Sequence, residues 1–401
     1  MARVHQSGFE LNSLTANMEW SVIGAAGTTI TSGAARSGTY GLRISSMTSA
    51  TQAGVLYKWL AVASTGPYFL RTYLNVQTLP SASNHIISIG SSSGTVGGSP
   101  QCKITLESNG TLILRNQSGT QIGSASSALT TNTWYMVELK TDTTAGSGSR
   151  IIEGRLNGSV FATTSSGTQT NSLSFSVGGN LDAEAQTTGE WWFDDIALDD
   201  STGSFQTSYP GSGKIIHLKP NATGDANGFA TQVGGTAGST NNFTRVNEVT
   251  PDGLTSYNQS GTLNAEDLFN CENSGIGSGD TVNVVMVGMR MRNDTADATM
   301  AVKCEIEKTS GGTIAQGSAI ISNQTTFQTN QNNTPHNYTL VTYQDPDSSN
   351  WTQTTLDSMQ IGYKVTTANV NSMEVSTVWA TVDYTPAAVT TSNELTLLGV
   401  G

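Results

Sequence analysis

Residues 103–140 contain Lys103-Ile-Thr-Leu-Glu-Ser-Asn-Gly-Thr-Leu-Ile-Leu-Arg115, then a loop rich in Gly, Ser and Thr, then Trp134-Tyr-Met-Val-Glu-Leu-Lys140. Ile104 and Leu106 alternate with polar residues, as a half-buried strand requires, and Leu112 and Leu114 do so on the return. A two-residue Asn109-Gly110 loop would set Leu106 against Ile113 and split the four apolar side chains between faces. A three-residue loop, Ser108-Asn109-Gly110 with Gly110 left-handed, pairs Leu106 with Leu112 and Ile104 with Leu114 on one face, so this register is expected. Tyr135, Val137 and Leu139 form a second two-period stripe. Ile152, Gly154 and Leu156 form a third, ending in a turn at Asn157-Gly158. The expectation is one curved antiparallel sheet with a single apolar face.

Working outward, the chain of 401 residues is long for one sandwich and suits two β domains. Only 12% of it is charged, and Gly alone counts 43. Its apolar residues nevertheless sit in alternating strands, which argues for folded β structure with many turns rather than a flexible linker. Net charge is −12, and the 18 basic residues are scattered without a run, so the electrostatic footprint of a nucleic-acid binder is missing. Cys102, Cys271 and Cys304 form neither a CxxC pair nor an even framework. Cys304 has the inward parity of Val302 and Ile306, as a buried free thiol would. The first ten residues lack the apolar core of a signal peptide, and no apolar run approaches the ~20 residues that span a bilayer. Synthesis in a cytoplasm without membrane insertion, and release by a route such as lysis, is therefore expected.

Along the chain, Gly8-Phe9-Glu10 precedes Trp20 and a turn-to-strand element, Ser37-Gly38-Thr39-Tyr40-Gly41-Leu42-Arg43-Ile44. Residues 68–76 make a strand with Phe69, Arg71 and Tyr73 on one face and Tyr68, Leu70, Thr72 and Leu74 on the other. The first half closes on Trp191-Trp192-Phe193-Asp194-Asp195-Ile196. The expected domains are 1–203, a linker at 204–213 rich in Ser, Gly and Thr, a second β-sandwich at 214–386, and a C-terminal tail at 387–401. In the second half, residues 281–289 are almost continuously apolar, as in a strand covered on both faces. Met359, Ile361, Tyr363 and Val365 form another stripe, and no convincing helical period appears. In the tail, Leu395, Leu397 and Leu398 are candidates to dock on a partner, with fraying the equal alternative.

The series of elements in the first half resembles the concanavalin A-like lectin/glucanase jelly roll in its laminin-G-like form. The likeness rests on Gly8-Phe9-Glu10, the element at 38–44, Asn109-Gly110, Thr133-Trp134-Tyr135, Leu156-Asn157-Gly158 and Phe193-Asp194-Asp195-Ile196. A galactose-binding-like module shares the Phe-Glu start and the Asp-Asp-hydrophobic end, and is the alternative fold. The second half, with Gly213-Lys214-Ile215-Ile216, Asn350-Trp351-Thr352 and residues 378–384, is similar to the second half of structural proteins of tailed-phage virions. That resemblance implies a location rather than an activity.

Glycosidases of such folds set two carboxylates across a cleft. The nearest acidic stretch, Asp182-Ala183-Glu184, lacks that spacing, and adjacent Asp194 and Asp195 are expected to face opposite sides of a strand. His5, His85, His217 and His336 lie far apart with no motif around any, so no catalytic residues are assigned. Asp194 shares parity with Ile196 and Leu198 and points inward, where an unpaired carboxylate is costly. The resemblance implies a structural calcium ion on Glu10 and one of Asp194 or Asp195; hydrogen bonds from the turn at 37–39 are an equal alternative. Asp225-Ala226-Asn227-Gly228 reads as a turn. Trp191 and Trp192 are consecutive, so one faces away from the core.

The expectation is an all-β protein of two β-sandwich (jelly-roll) domains in tandem, the first concanavalin A-like. Its expected role is a non-catalytic phage virion surface protein, decorating capsid or tail and interlocking subunits. Copies of itself and other virion proteins are the expected partners, with host-surface glycan as a further one. A free carbohydrate-binding lectin is the alternative, and a glycan-cleaving enzyme stands behind it.

Overall fold

The computed structural model describes residues 3–15, 18–24, 26–47, 56–64, 66–91, 100–179, 187–234, 241–297, 299–321, 324–329 and 338–388. Among these, strands assemble into four antiparallel sheets, two built from the first half of the chain and two from the second. The protein is all-β, with β-sandwiches in tandem. The acidic stretch at 182–184, His336 and the leucines of the tail lie outside the described residues.

In the first half, an eight-stranded sheet runs Ser159–Gly167, Arg150–Leu156, Trp134–Asp142, Tyr68–Thr78, Thr187–Asp200, Gly41–Met47, Thr28–Thr31. Arg3–Ser7 pairs alongside Thr187–Asp200. Facing it, a seven-stranded sheet runs Gln121–Ile122, Leu112–Asn116, Pro100–Leu106, Asn84–Gly90, Ser172–Val177, Leu56–Ser64, Val22–Ile23. The hairpin register is the one that places four apolar side chains together: Leu106 opposes Leu112 and Ile104 opposes Leu114. All four are fully buried. Gly110 has φ +85°, and a Cβ there would stand 3.3 Å from the Leu129 carbonyl oxygen. Gly110→Val is expected to destabilise the protein by roughly 1–2 kcal/mol or more. Urea denaturation measures this, and an unchanged midpoint would mean a different loop conformation.

The residues from 103 to 156 do not form one sheet, however. The hairpin belongs to the seven-stranded sheet, while Trp134–Asp142 and Arg150–Leu156 belong to the eight-stranded one. Residues 123–133 carry the chain from one sheet to the other. Both sheets turn an apolar face to a shared core, so alternation alone does not distinguish continuing a sheet from crossing to its partner. Val137, Leu139 and Ile152 accordingly pack in the same cluster as Ile104 and Leu114.

The second half repeats the plan. One sheet runs Thr231–Val233, Tyr257–Ser260, Met373–Thr385, Thr281–Asn293, Gln328–Thr329, with Lys214–Leu218 also on Met373–Thr385 and Leu340–Thr342 on Thr281–Asn293. The other runs Pro220–Asn227, Glu266–Cys271, Gln360–Thr367, Ala301–Glu307, Ile314–Gln316, with Ile320–Ile321 at its side. Asp225 to Asn227 therefore close a strand rather than forming a turn, held where Asp225 accepts from the Gly311 amide and from Gln360 Nε2. A six-residue helix, Gln353–Ser358, sits between Trp351 and the Met359 strand. It starts in a reciprocal Thr352–Thr355 capping box, a threonine version too short to leave a period in the sequence. Cys102, Cys271 and Cys304 are free and buried.

Thr281–Asn293 is covered on both faces. Val285, Val287 and Met289 enter the core of the second half, whereas Val284 and Met286 join Leu11, Tyr338 and Trp379 in a separate apolar cluster toward the first half. The strand Tyr68–Thr78 is likewise buried on its second face, where Phe69 meets the ring of Tyr209 and Arg71 reaches Asp383. No helix of the described residues is long and apolar enough to cross a membrane.

Candidate functional site

The three acidic residues singled out in the sequence gather at one turn. Glu10 Oε1 accepts from the amides of Thr39 (2.8 Å) and Tyr40 (3.0 Å). Gly38 makes this approach possible: its φ is +61°, and a Cβ would lie 2.2 Å from that oxygen. Asp194 Oδ2 accepts from the amides of Arg36 (2.7 Å) and Ser37 (3.1 Å), and its Oδ1 from the Asp195 amide. Asp195 Oδ1 accepts from Ser37 Oγ and from the Ile215 amide (2.6 Å), while its Oδ2 pairs with Arg36.

Asp194 and Asp195 do not face opposite sides of the strand. Their pairing with Tyr68–Thr78 shifts register between Asp194 and Ala197, and Asp195 has φ +52°. This bulge interrupts the two-residue alternation and turns both carboxylates onto the same turn. Burial raises both of their pKa values; the Asp195 charge adds to the rise at Asp194, and Arg36 opposes it at Asp195. Burial also lifts Glu10 to about 7 against the two backbone donors.

A calcium ion takes about six to eight oxygen ligands. Here five of the six carboxylate oxygens, all but Glu10 Oε2, are occupied by amides, a hydroxyl and a guanidinium, and Arg36 would stand against the cation. Among the described residues, no group of three or more His, Cys, Asp and Glu side chains is placed to hold a metal ion. The donor set does not fit calcium. Adding millimolar calcium to a chelated sample is accordingly expected to leave the melting temperature unchanged. An upward shift that Glu10→Gln abolishes would reinstate the ion.

Behind the turn, the two halves share a buried polar junction. Arg3 pairs through Nε with Asp199 Oδ1 (2.5 Å) and through Nη1 with Asp383 Oδ2 (2.7 Å), all three side chains being fully buried. Arg71 adds an ion pair to Asp383 at 3.3 Å and donates to the carbonyl of Gly211. Gln6 donates to the carbonyl of Thr381. Next to this network lie Glu19, Lys58, His5 and His217, with Glu19 Oε1 3.6 Å from His217 Nε2 across the junction. Burial raises Glu19 to about 8 and lowers Lys58 to about 7 and His217 to about 3. No motif marks these residues in the sequence. The clue was the doubly apolar strand at 281–289, which needs a cover on its outer face.

Two clefts open on the surface. One, of about 340 Å³, lies at the junction and is lined by Glu10, Tyr40, His217, Lys219 and Glu272 among others. The other, of about 370 Å³, lies where the edges of the first two sheets meet, between Asn116–Gly123 and Thr163–Gln169. Its polar lining consists of carboxamides and hydroxyls, without an ionisable side chain. Of the paired tryptophans, Trp191 is buried in the core and Trp192 is half-buried outside it, its Nε1 donating to Glu190.

No family model matches the sequence, and no curated protein matches it. Among solved structures, the chain is similar to the cellulose induced protein Cip1, at 18% identity and TM-score 0.38 over 52% of this chain and 99% of that one. It is also similar to Trypanosoma rangeli sialidase in complex with sialic acid, at 13% identity and TM-score 0.32 over 44% of this chain and 26% of that one. A third is a conserved carbohydrate esterase from Shiga toxin-encoding bacteriophage phi24B, at 12% identity and TM-score 0.35 over 49% of this chain and 97% of that one. At these scores the likenesses say nothing about activity.

Proposed function

We propose that the chain is a non-catalytic structural protein of a tailed-phage particle, displayed on capsid or tail as a homo-oligomer and contacting glycan at the host surface. The observation that carries this reading is the cleft between the first two sheets, whose walls offer hydrogen bonds but, among the described residues, no ionisable side chain to serve as acid or base. The buried junction supports it too, because a body whose halves are locked by desolvated ion pairs suits a load-bearing shell component. Only 12% of the chain is charged, which leaves neutral, hydroxyl-rich stretches for packing against its own kind. Negative-stain microscopy of purified particles labelled with an antibody to this chain tests the proposal. Label on particles, at capsid or tail, is the expected result; particles free of label, with the chain left monomeric in the lysate, would turn the reading toward a free lectin.

One observation favours a second reading. Glu10, lifted by burial to about 7, shares the junction cleft with Glu272, and glycan cleavage uses two carboxyl groups facing one cleft. Release of reducing sugar from oligosaccharides by the native chain, lost in Glu10→Gln, would establish it.

A further inference from the structure

We infer that the cleft between Asn116–Gly123 and Thr163–Gln169 is a binding site for a neutral, hydroxyl-rich saccharide; this deepens the reading above and rests on it. Its lining holds carboxamides from Gln101, Asn116, Gln117, Gln121 and Gln169. Each carboxamide presents a donor and an acceptor side by side, which matches a sugar hydroxyl or vicinal diol that does both. Hydroxyls of Thr163, Thr164, Ser166 and Thr168 extend the same chemistry around the rim. Ile122 and Ile152, both buried, supply an apolar floor for the C–H face of a pyranose ring.

The amides differ in what they already do. Gln101 is committed, its Oε1 accepting from the Thr170 amide and its Nε2 donating to Ser91 Oγ. Gln117 and Gln121 are exposed and use only Nε2, toward Thr168 Oγ1 and the Gly123 carbonyl. Neither Oε1 accepts a hydrogen bond among the described residues. Gln169 is 1% exposed. Its Nε2 donates to the Ile151 carbonyl at 2.9 Å, while its buried Oε1 has no partner among the described residues. A buried acceptor left unmatched is unfavourable; this oxygen is closed to solvent, so a ligand hydroxyl relieves it only once the cleft wall shifts to admit it. Gly167 keeps space for this amide, since a Cβ there would lie 2.2 Å from Gln169 Oε1.

The lining also selects against charge. A sialate or uronate entering the cleft would lose hydration with no cationic side chain among the described lining residues to meet it, Arg115 and Arg150 beside it being turned to the carbonyls of Gly119 and Gln169. Among the described residues no aromatic ring lines the site, so binding there rests on hydrogen bonds without stacking, and binding by a single copy is weak. Display of many copies then supplies the avidity.

Saturation-transfer NMR on the full chain, with cellotetraose, maltotetraose and mannotetraose as neutral probes and a sialic-acid tetramer as the charged one, tests the inference. At least one neutral tetrasaccharide should bind at millimolar concentration, and the charged one should bind no better. The double variant Gln117→Ala/Gln121→Ala, at exposed positions that leave the core intact, should weaken binding about tenfold or more, as loss of one or two hydrogen bonds does. Neutral binding that survives the double variant at full strength would remove the site from this cleft while leaving glycan contact elsewhere on the chain. No binding of any probe would overturn both the cleft and the glycan part of the proposed function. Preference for the sialic-acid tetramer would overturn the selection for neutral ligands.

Discussion

Arg3→Met should cost roughly 3–5 kcal/mol of stability, because it leaves carboxylates buried without their guanidinium. Asp199 and Asp383 are both fully buried and both face Arg3; Asp383 also pairs with Arg71 at 3.3 Å, whose charge acts on Asp199 as well. Loss of packing along the arginine stem is small with methionine in its place, so the deficit reports the charge. Its pH dependence identifies the cause. Burial already raises Asp199 to about 6 in the presence of Arg3, and removal of the cation raises it further. A carboxylate with a raised folded pKa contributes stability that is present at low pH and lost as pH rises through that value. The deficit should therefore be smaller at pH 5 than at pH 8 in chemical denaturation. Adding Asp199→Asn to Arg3→Met should recover part of it. A deficit independent of pH would assign the effect to packing instead.

The second large effect has the opposite sign. Glu19→Gln should stabilise the protein at alkaline pH by roughly 2–4 kcal/mol while changing little near pH 4. Burial raises Glu19 to about 8 from an ordinary value near 4.5, so the unfolded chain ionises first. The contribution of Glu19 is fully present below 4.5 and is lost as pH rises through about 8. Glu19→Gln also takes from buried Lys58 the attraction of Glu19, which keeps the expected gain below the full linkage value. Ser7 Oγ donates to Glu19 Oε2, and a glutamine oxygen accepts the same bond, so geometry is preserved. His5 and His217 act on the acid side in both proteins: burial depresses them, so stability falls as pH drops below their ordinary value near 6.5. Melting curves of the two proteins should converge at acid pH and separate above neutrality. Parallel curves would mean that Glu19 stays ionised in the folded protein.

What was legible in the sequence follows from how local each signal is. The Leu106–Leu112 register was readable because a period of two and a glycine at the loop act within ten residues. The stripes at 135–139 and 359–365 were readable for the same reason. The sheet to which a stripe belongs was not, since both sheets of a sandwich show the same alternation to one core. The convergence of Asp194 and Asp195 was hidden because a bulge changes which face a residue takes without changing the residue types. Arg3, Asp199 and Asp383 were illegible as a cluster, because nothing in any one segment marks its partner in another. The carboxamide-lined cleft was illegible because Gln, Asn and Thr in loops read as turn and solvent-facing residues until the fold brings them to one wall.

The clasp at Arg3 also sets a timetable. Asp199 lies 196 residues beyond Arg3, and Asp383 lies 380 beyond it. On a ribosome adding about 5–20 residues per second, the second partner emerges roughly 10–40 s after the first. Throughout that interval the first half can close its own sheets, yet it carries Arg3 half-satisfied and the outer face of its Arg71 strand uncovered. A nascent chain in that state has a sticky, partly charged flank that only its own C-terminal half is shaped to cover. Slowing translation between residues 200 and 383 would lengthen this exposure, and so raise losses to aggregation without altering a single contact in the finished molecule.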